Sequence, residues 1–188
     1  MHTIQLMLVE AETPQDAFEY VESQLSEGEP RWSDWHNASN ASSMNFAGRW
    51  EFDIFITDEQ KKQIEEGTLS RDDIPNYLCY ADDQELADQV ISQFLSWRKQ
   101  SLRENVPVGL PDLDTLIDNY DHAENALATP LSMELWKLGK LVQLLSDDWT
   151  YESSIYDLQY YSASLRNFYE RCAKAPHKQF LIPVDFHH

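Results

Sequence analysis

Two groups of residues in this sequence have types and spacings that could do chemistry. The first combines histidine, arginine and aspartate, and it begins in Arg31–Phe55, RWSDWHNASNASSMNFAGRWEFDIF. If residues 32–36 are extended, Trp32, Asp34 and His36 share a face, because side chains alternate along a strand. After the Asn/Ala/Ser loop, Arg49, Glu51 and Asp53 oppose the apolar set Trp50, Phe52 and Ile54. In the final run, FLIPVDFHH, Asp185 and His187 lie opposite Phe180, Ile182, Val184 and Phe186. Neighbouring strands would then bring His36, Arg49, Asp185 and His187 together. Such a cluster suits an anionic ligand, with Arg49 as a bidentate anchor and a His–Asp pair as general base and orienter. A metal held by Asp185, His187 and His36 is a variant of this reading. The competing reading is a solvent face on which Arg49 pairs with the nearest carboxylate.

The second group is acidic. The chain carries 33 Asp and Glu against 14 Lys and Arg, a formal net charge of −19. That surface repels phosphate backbones, so direct nucleic-acid binding is not expected. Twelve acidic and three basic residues fall between Glu51 and Asp88. The contact residues expected there are Glu65, Glu66, Asp72, Asp73, Asp82, Asp83, Glu85 and Asp88. A belt of this kind fits a protein partner with a basic surface. Solubility alone accounts for the composition equally well, since net charge bears on solubility and association more than on fold. A special form of the partner reading is mimicry of DNA, with carboxylates in place of phosphates.

Familiar catalytic signatures are missing, including the phosphate-binding glycine loops, GxSxG, HExxH and Cys/His zinc spacings. Ser96–Lys99 fits SxxK without its companion motifs, and His122–Glu124 fits the HxE of zinc deaminases without a following PCxxC. Neither a cofactor nor a metal is therefore expected. Cys79 and Cys172 stand far apart and read as free thiols. No run of about 18 apolar residues exists to span a membrane, and the opening residues MHTIQLMLVEAETPQ have no signal-peptide pattern. The expected setting is cytoplasmic.

The elements that must position these groups follow from periodicity. Residues 3–10 read as a strand. Thr13 and Pro14 open a helix carrying Phe18, Val21 and Leu25, which Gly28 and Pro30 end. Residues 32–36 and 50–56 read as two further strands. TDEQ at 57–60 has the form of a capping box before a short helix stopping at Gly67. SRDD opens a turn towards Ile74. Residues 82–104 form the clearest helix, with Leu86, Val90, Phe94 and Trp97 in one stripe. Further helices are expected near 113–120, over 132–146 with Ser132 as cap, and in the segment ending before Pro176. The first part of the aromatic run 149–169 is compatible with a strand, and its tyrosines read as core or as a recognition surface. Pro183 places the last strand at an edge or at its end. The fold class expected is α+β in a single domain, residues 1–188. A small antiparallel sheet from about 1–57 and 178–187 packs against a helical insertion over about 58–175.

WSDWH followed by GRW, together with the terminal FLIPVDFHH, resembles small phage-encoded proteins that carry a Trp-rich segment, a G-R-W and a terminal Asp-x-His. The likeness is confined to the two ends of the chain. Ala47 stands where those proteins have a second glycine before the arginine. The resemblance implies no activity, only the setting of a phage accessory or inhibitor protein in a bacterial cytoplasm.

Two functions follow. One is a small acidic interaction protein that occupies a basic surface of a host protein, in its most specific form a nucleic-acid-binding surface. The other is an enzyme or small-molecule-binding protein centred on His36, Arg49, Asp185 and His187.

Overall fold

The computed structural model describes residues 2–28, 35–38, 54–108, 130–146 and 154–187. Strand β1 (His2–Glu10) leads into helix α1 (Pro14–Gly28), and β2 (Trp35–Asn37) follows. Helix α2 (Asp58–Glu65), a 3-10 turn (Arg71–Asp73) and β3 (Leu78–Cys79) precede the long α3 (Gln84–Glu104). Helix α4 (Pro130–Leu145), β4 (Ser154–Asp157), α5 (Arg166–Lys174) and β5 (Gln179–His187) complete the described elements. The α+β class holds. The expected strand over 50–56 and the helix near 113–120 fall wholly or largely outside the described residues. Within the former, Ile54 and Phe55 form a turn, and adjacent Phe55 and Ile56 are both buried, which a half-buried strand would not allow.

The sheet is mixed, where the sequence predicts an antiparallel one. Its order is β2-β5-β1-β4, with β3 also on β5. β5 runs antiparallel to β1, β2 and β3, whereas β1 and β4 are parallel, Gln5 opposite Ser154 and Leu8 opposite Asp157. A parallel pair needs a long crossover, and the helical middle supplies it. That middle is also less purely helical than expected, since it contributes β3 and β4.

β5 is central, contrary to the position Pro183 implies. Its neighbour on one side is β1 along its whole length, His2 opposite His187 through Glu10 opposite Gln179. On the other side β3 pairs with Phe180 and Leu181, and β2 with Asp185 to His187. The Tyr80 N–H donates to the Gln179 carbonyl at 2.8 Å, so the odd residues of β5 direct their backbone towards β2 and β3. Pro183, which has no N–H, therefore faces the interval where no described strand pairs. The strand is locally an edge at its proline, which is the condition proline requires.

Both faces of the sheet are covered. On one, Met7, Val9, Tyr156, Phe180, Ile182, Val184 and Phe186 meet Ala17, Phe18, Val21 and Leu25 of α1. On the other, Ile4, Leu6, Leu8, Ile155 and Leu181 meet Ala87, Val90, Ile91 and Phe94 of α3 and Phe168 and Cys172 of α5. Each large side chain buried in this way contributes about 1.5–3 kcal/mol. Local signals set the helices. The Thr57 hydroxyl accepts from the Gln60 N–H at 3.2 Å while the Gln60 carboxamide accepts from the Thr57 N–H at 2.9 Å, a complete capping box. Past α2, Gly67 takes φ 73°, which glycine adopts at little cost. Helix α4 begins at Pro130, so Ser132 lies inside it and does not cap it; proline fits the first helical position, where its missing N–H has no partner to lose.

Burial leaves a titration signature. The Cys172 thiol, ordinarily near 9.0, is pushed up to about 12 by burial, with Arg171 opposing. The Tyr80 phenol is likewise raised from 10.0 to about 12 by burial and the neighbouring Asp88. Above about pH 9 the unfolded chain releases these protons while the folded one retains them, so stability falls as pH rises towards 12. The urea midpoint is expected to decline steadily through this window, and more shallowly in Cys172→Ala. A level midpoint would contradict the burial of both groups.

Candidate functional site: an acidic surface and its groove

The four-residue cluster expected from the sequence does not assemble. In an antiparallel pair, residues directly opposite share a face, and here His36 is opposite Phe186 while Asn37 is opposite Asp185 and Trp35 opposite His187. His36 therefore shares the α1 face. Its ring lies 6.1 Å from that of Phe186, and its Nε2 is 3.5 Å from a Glu22 carboxylate oxygen of α1. Asp185 and His187 lie on the opposite face, and Asp185 is only 2% exposed, in the layer of Ile4 and Leu6. Arg49 lies outside the described residues. The supposed polar face of β5 is the floor of a second core. Among the described residues no three His, Cys, Asp or Glu side chains are placed to hold a metal ion. No helix among them is long and apolar enough to cross a membrane.

The acidic belt has a different fate. Glu65 and Glu66 sit at the end of α2, Asp72 and Asp73 in the 3-10 turn, and Asp82, Asp83, Glu85 and Asp88 at the entry and first turns of α3. All eight are exposed. Some have structural work. Asp83 caps α3 by accepting the Leu86 N–H at 2.9 Å, Asp88 accepts from the Tyr80 hydroxyl at 3.1 Å, and Glu66 lies 3.8 Å from Lys62. Glu65, Asp72, Asp73, Asp82 and Glu85 have carboxylates that accept no hydrogen bond and meet no cation among the described residues. The cations of the segment are engaged elsewhere. Lys61 pairs with Asp58 at 3.2 Å, and Arg71 turns its guanidinium to the Ile74 carbonyl and the Asn76 side chain, both at 3.1 Å.

Beside the belt is an open groove of about 350 Å³ between residues 54–61 and the first half of α3. Its apolar lining is Ile54 and Leu86, both half-buried, with Ile56 and Val90 buried, and its polar lining is Thr57, Asp58, Lys61, Asp83, Glu85, Gln89 and Gln93. Sequence reasoning identified Asp83 and Glu85 as surface acids and missed the rest of the polar lining. The signal was present, because Glu85, Gln89 and Gln93 recur at the four-residue spacing of one helix face.

Sequence reasoning also passed over a buried ionic centre. Arg171 of α5 donates through both terminal nitrogens to Asp157, at 3.0 Å each, and through Nε to the Gln179 side chain at 2.9 Å. Glu10 approaches the same Nε at 3.3 Å, and the rings of Tyr160 and Phe168 lie 5.2 and 5.6 Å from the guanidinium carbon. The centre joins the ends of β1, β4 and β5 to α5. Asp157 is fully buried, and burial pushes its carboxyl above the ordinary value, with Arg171 opposing. With the guanidinium held on all these sides, the centre is a structural tie.

Comparison with known protein families, curated proteins and solved structures finds no match to this chain.

Arg171→Leu is expected to destabilise the fold by about 3–5 kcal/mol in urea unfolding near neutral pH, because it strands a buried carboxylate. Part of that loss should return as pH falls, since protonating Asp157 removes the stranded charge. A cost under about 1 kcal/mol would show the pair to be no stronger than an exposed one.

Proposed function

We propose that this chain is an acidic interaction protein whose belt docks on the basic surface of a protein partner in the cytoplasm. The supporting observation is the set of five exposed carboxylates, Glu65, Asp72, Asp73, Asp82 and Glu85, that meet no cation among the described residues and lie on one continuous stretch of chain. Acids kept merely for solubility need no such concentration, and pairing with Lys or Arg would otherwise relieve their mutual repulsion. A basic partner relieves it on binding and gains in association rate from the long-range field. In the most specific form of the reading, the chain is a phage accessory protein. It inhibits a host protein by occupying a nucleic-acid-binding surface as a DNA mimic. The alternative, an enzyme or small-molecule-binding protein centred on His36, Arg49, Asp185 and His187, is less well supported, since His36 and Asp185 lie on opposite faces of the sheet.

Immobilised protein should retain partners that elute as salt rises, because exposed charges are screened within about 10 Å at 0.1 M. Reversing Glu65, Asp72, Asp73 and Asp82 to lysine should release them at physiological salt without altering the circular dichroism. Retention of every captured partner by the reversed variant would contradict the proposal.

A further inference from the structure

We infer that the groove between residues 54–61 and α3 receives an arginine side chain presented by the partner's basic surface; this rests on the docking reading above. The described lining residues carry three carboxylates, Asp58, Asp83 and Glu85, against one ammonium, Lys61, which Asp58 already holds at 3.2 Å. An anionic group is therefore repelled. A purely apolar side chain would cover those carboxylates without replacing their water, which is costly. A long cationic side chain suits both parts of the groove. Its methylene stem lies along the half-buried Ile54 and Leu86, and its charged head remains among the polar lining residues.

The distribution of acceptors favours arginine over lysine. Glu85 has no hydrogen bond or ion pair among the described residues, and Asp83 commits one carboxylate oxygen to the Leu86 N–H. The Gln89 and Gln93 side chains follow Glu85 one and two turns along α3. Acceptors spread along a helix face match a planar fork of five N–H donors better than a compact ammonium.

The test uses a fluorescein-labelled hexa-arginine peptide, with hexa-lysine for comparison, and reads affinity for the full chain by fluorescence anisotropy. Two double variants remove the same charge: Asp58→Asn with Glu85→Gln in the groove, and Asp72→Asn with Asp73→Asn in the belt. Hexa-arginine is expected to bind more tightly than hexa-lysine. The groove pair should weaken it about tenfold, the loss of one or two charge-assisted hydrogen bonds, and the belt pair about threefold or less. Gln89→Arg, which places a cation in the groove without touching the core, should weaken binding more than Gln100→Arg, which adds the same charge at the far end of α3. Equal losses from both double variants, with no preference for arginine, would overturn the groove while leaving the docking belt standing. No binding of either peptide by the unaltered chain would overturn both.

Discussion

The structure depends on one constraint: β5 is covered on both faces, and it is flanked by β1 along one edge and by β3 and β2 on either side of Pro183 along the other. Phe180, Ile182, Val184 and Phe186 pack under α1, and Leu181 faces α3 and α5. A strand so enclosed can carry no solvent-facing polar row, so Asp185 becomes a buried group. With His36 turned to the α1 side by the register of β2, a site shared by His36 and Asp185 is excluded by geometry. The same enclosure requires a tie at the end of the sheet where β1 and β4 finish and β5 begins. Arg171 supplies it by bonding to Asp157 and Gln179 and approaching Glu10.

The sheet and its helices take up the apolar residues of β1, β4 and β5, and the acid is left outside. Between α2 and α3 the chain crosses the surface in short pieces: a helix of two turns, a 3-10 turn and a two-residue strand. None of the residues of α2 is buried, whereas Ile74, Leu78, Cys79 and Tyr80 anchor the rest of the stretch in the core. The carboxylates of these pieces serve the backbone where a cap is needed, as Asp83 does, and otherwise project into water. The segment is thus cheap to decorate with charge. It lies against α3, whose inner face is fixed in the core, so the belt and groove are held on a rigid support. This coupling of a buried helix face to an exposed acidic one links the fold to the proposed binding function.

Helix signals were readable because they are local. Thr13 with Pro14, the Thr57–Gln60 box and the Leu86–Val90–Phe94 stripe each depend on residues within a turn or two. Strand pairing was not readable. FLIPVDF was read as alternating, with Asp185 marking a polar face. Yet Leu181 and Pro183 on that same face are apolar, and a near-continuous apolar run is the pattern of a strand buried on both sides. One carboxylate outweighed two neighbours in that reading. Proline likewise implies an edge or a strand end, and the edge holds only at residue 183 itself. The Arg171 centre joins residues from four distant elements, and no spacing could announce it. The acid of the 58–88 segment was legible as composition, whereas the groove needed the packing of residues 54–61 against α3.

The central claim is that partner contact falls on the belt and not on the sheet. Carbodiimide-driven amidation, read by peptide mass spectrometry with and without a captured partner, measures each carboxylate separately. Glu65, Asp72, Asp73, Asp82 and Glu85 should label readily in the free chain and be shielded in the complex, with exposed acids elsewhere, such as Glu104 and Glu170, unchanged. Equal labelling of the belt in both states, with protection at Glu104 or Glu170 instead, would contradict the account.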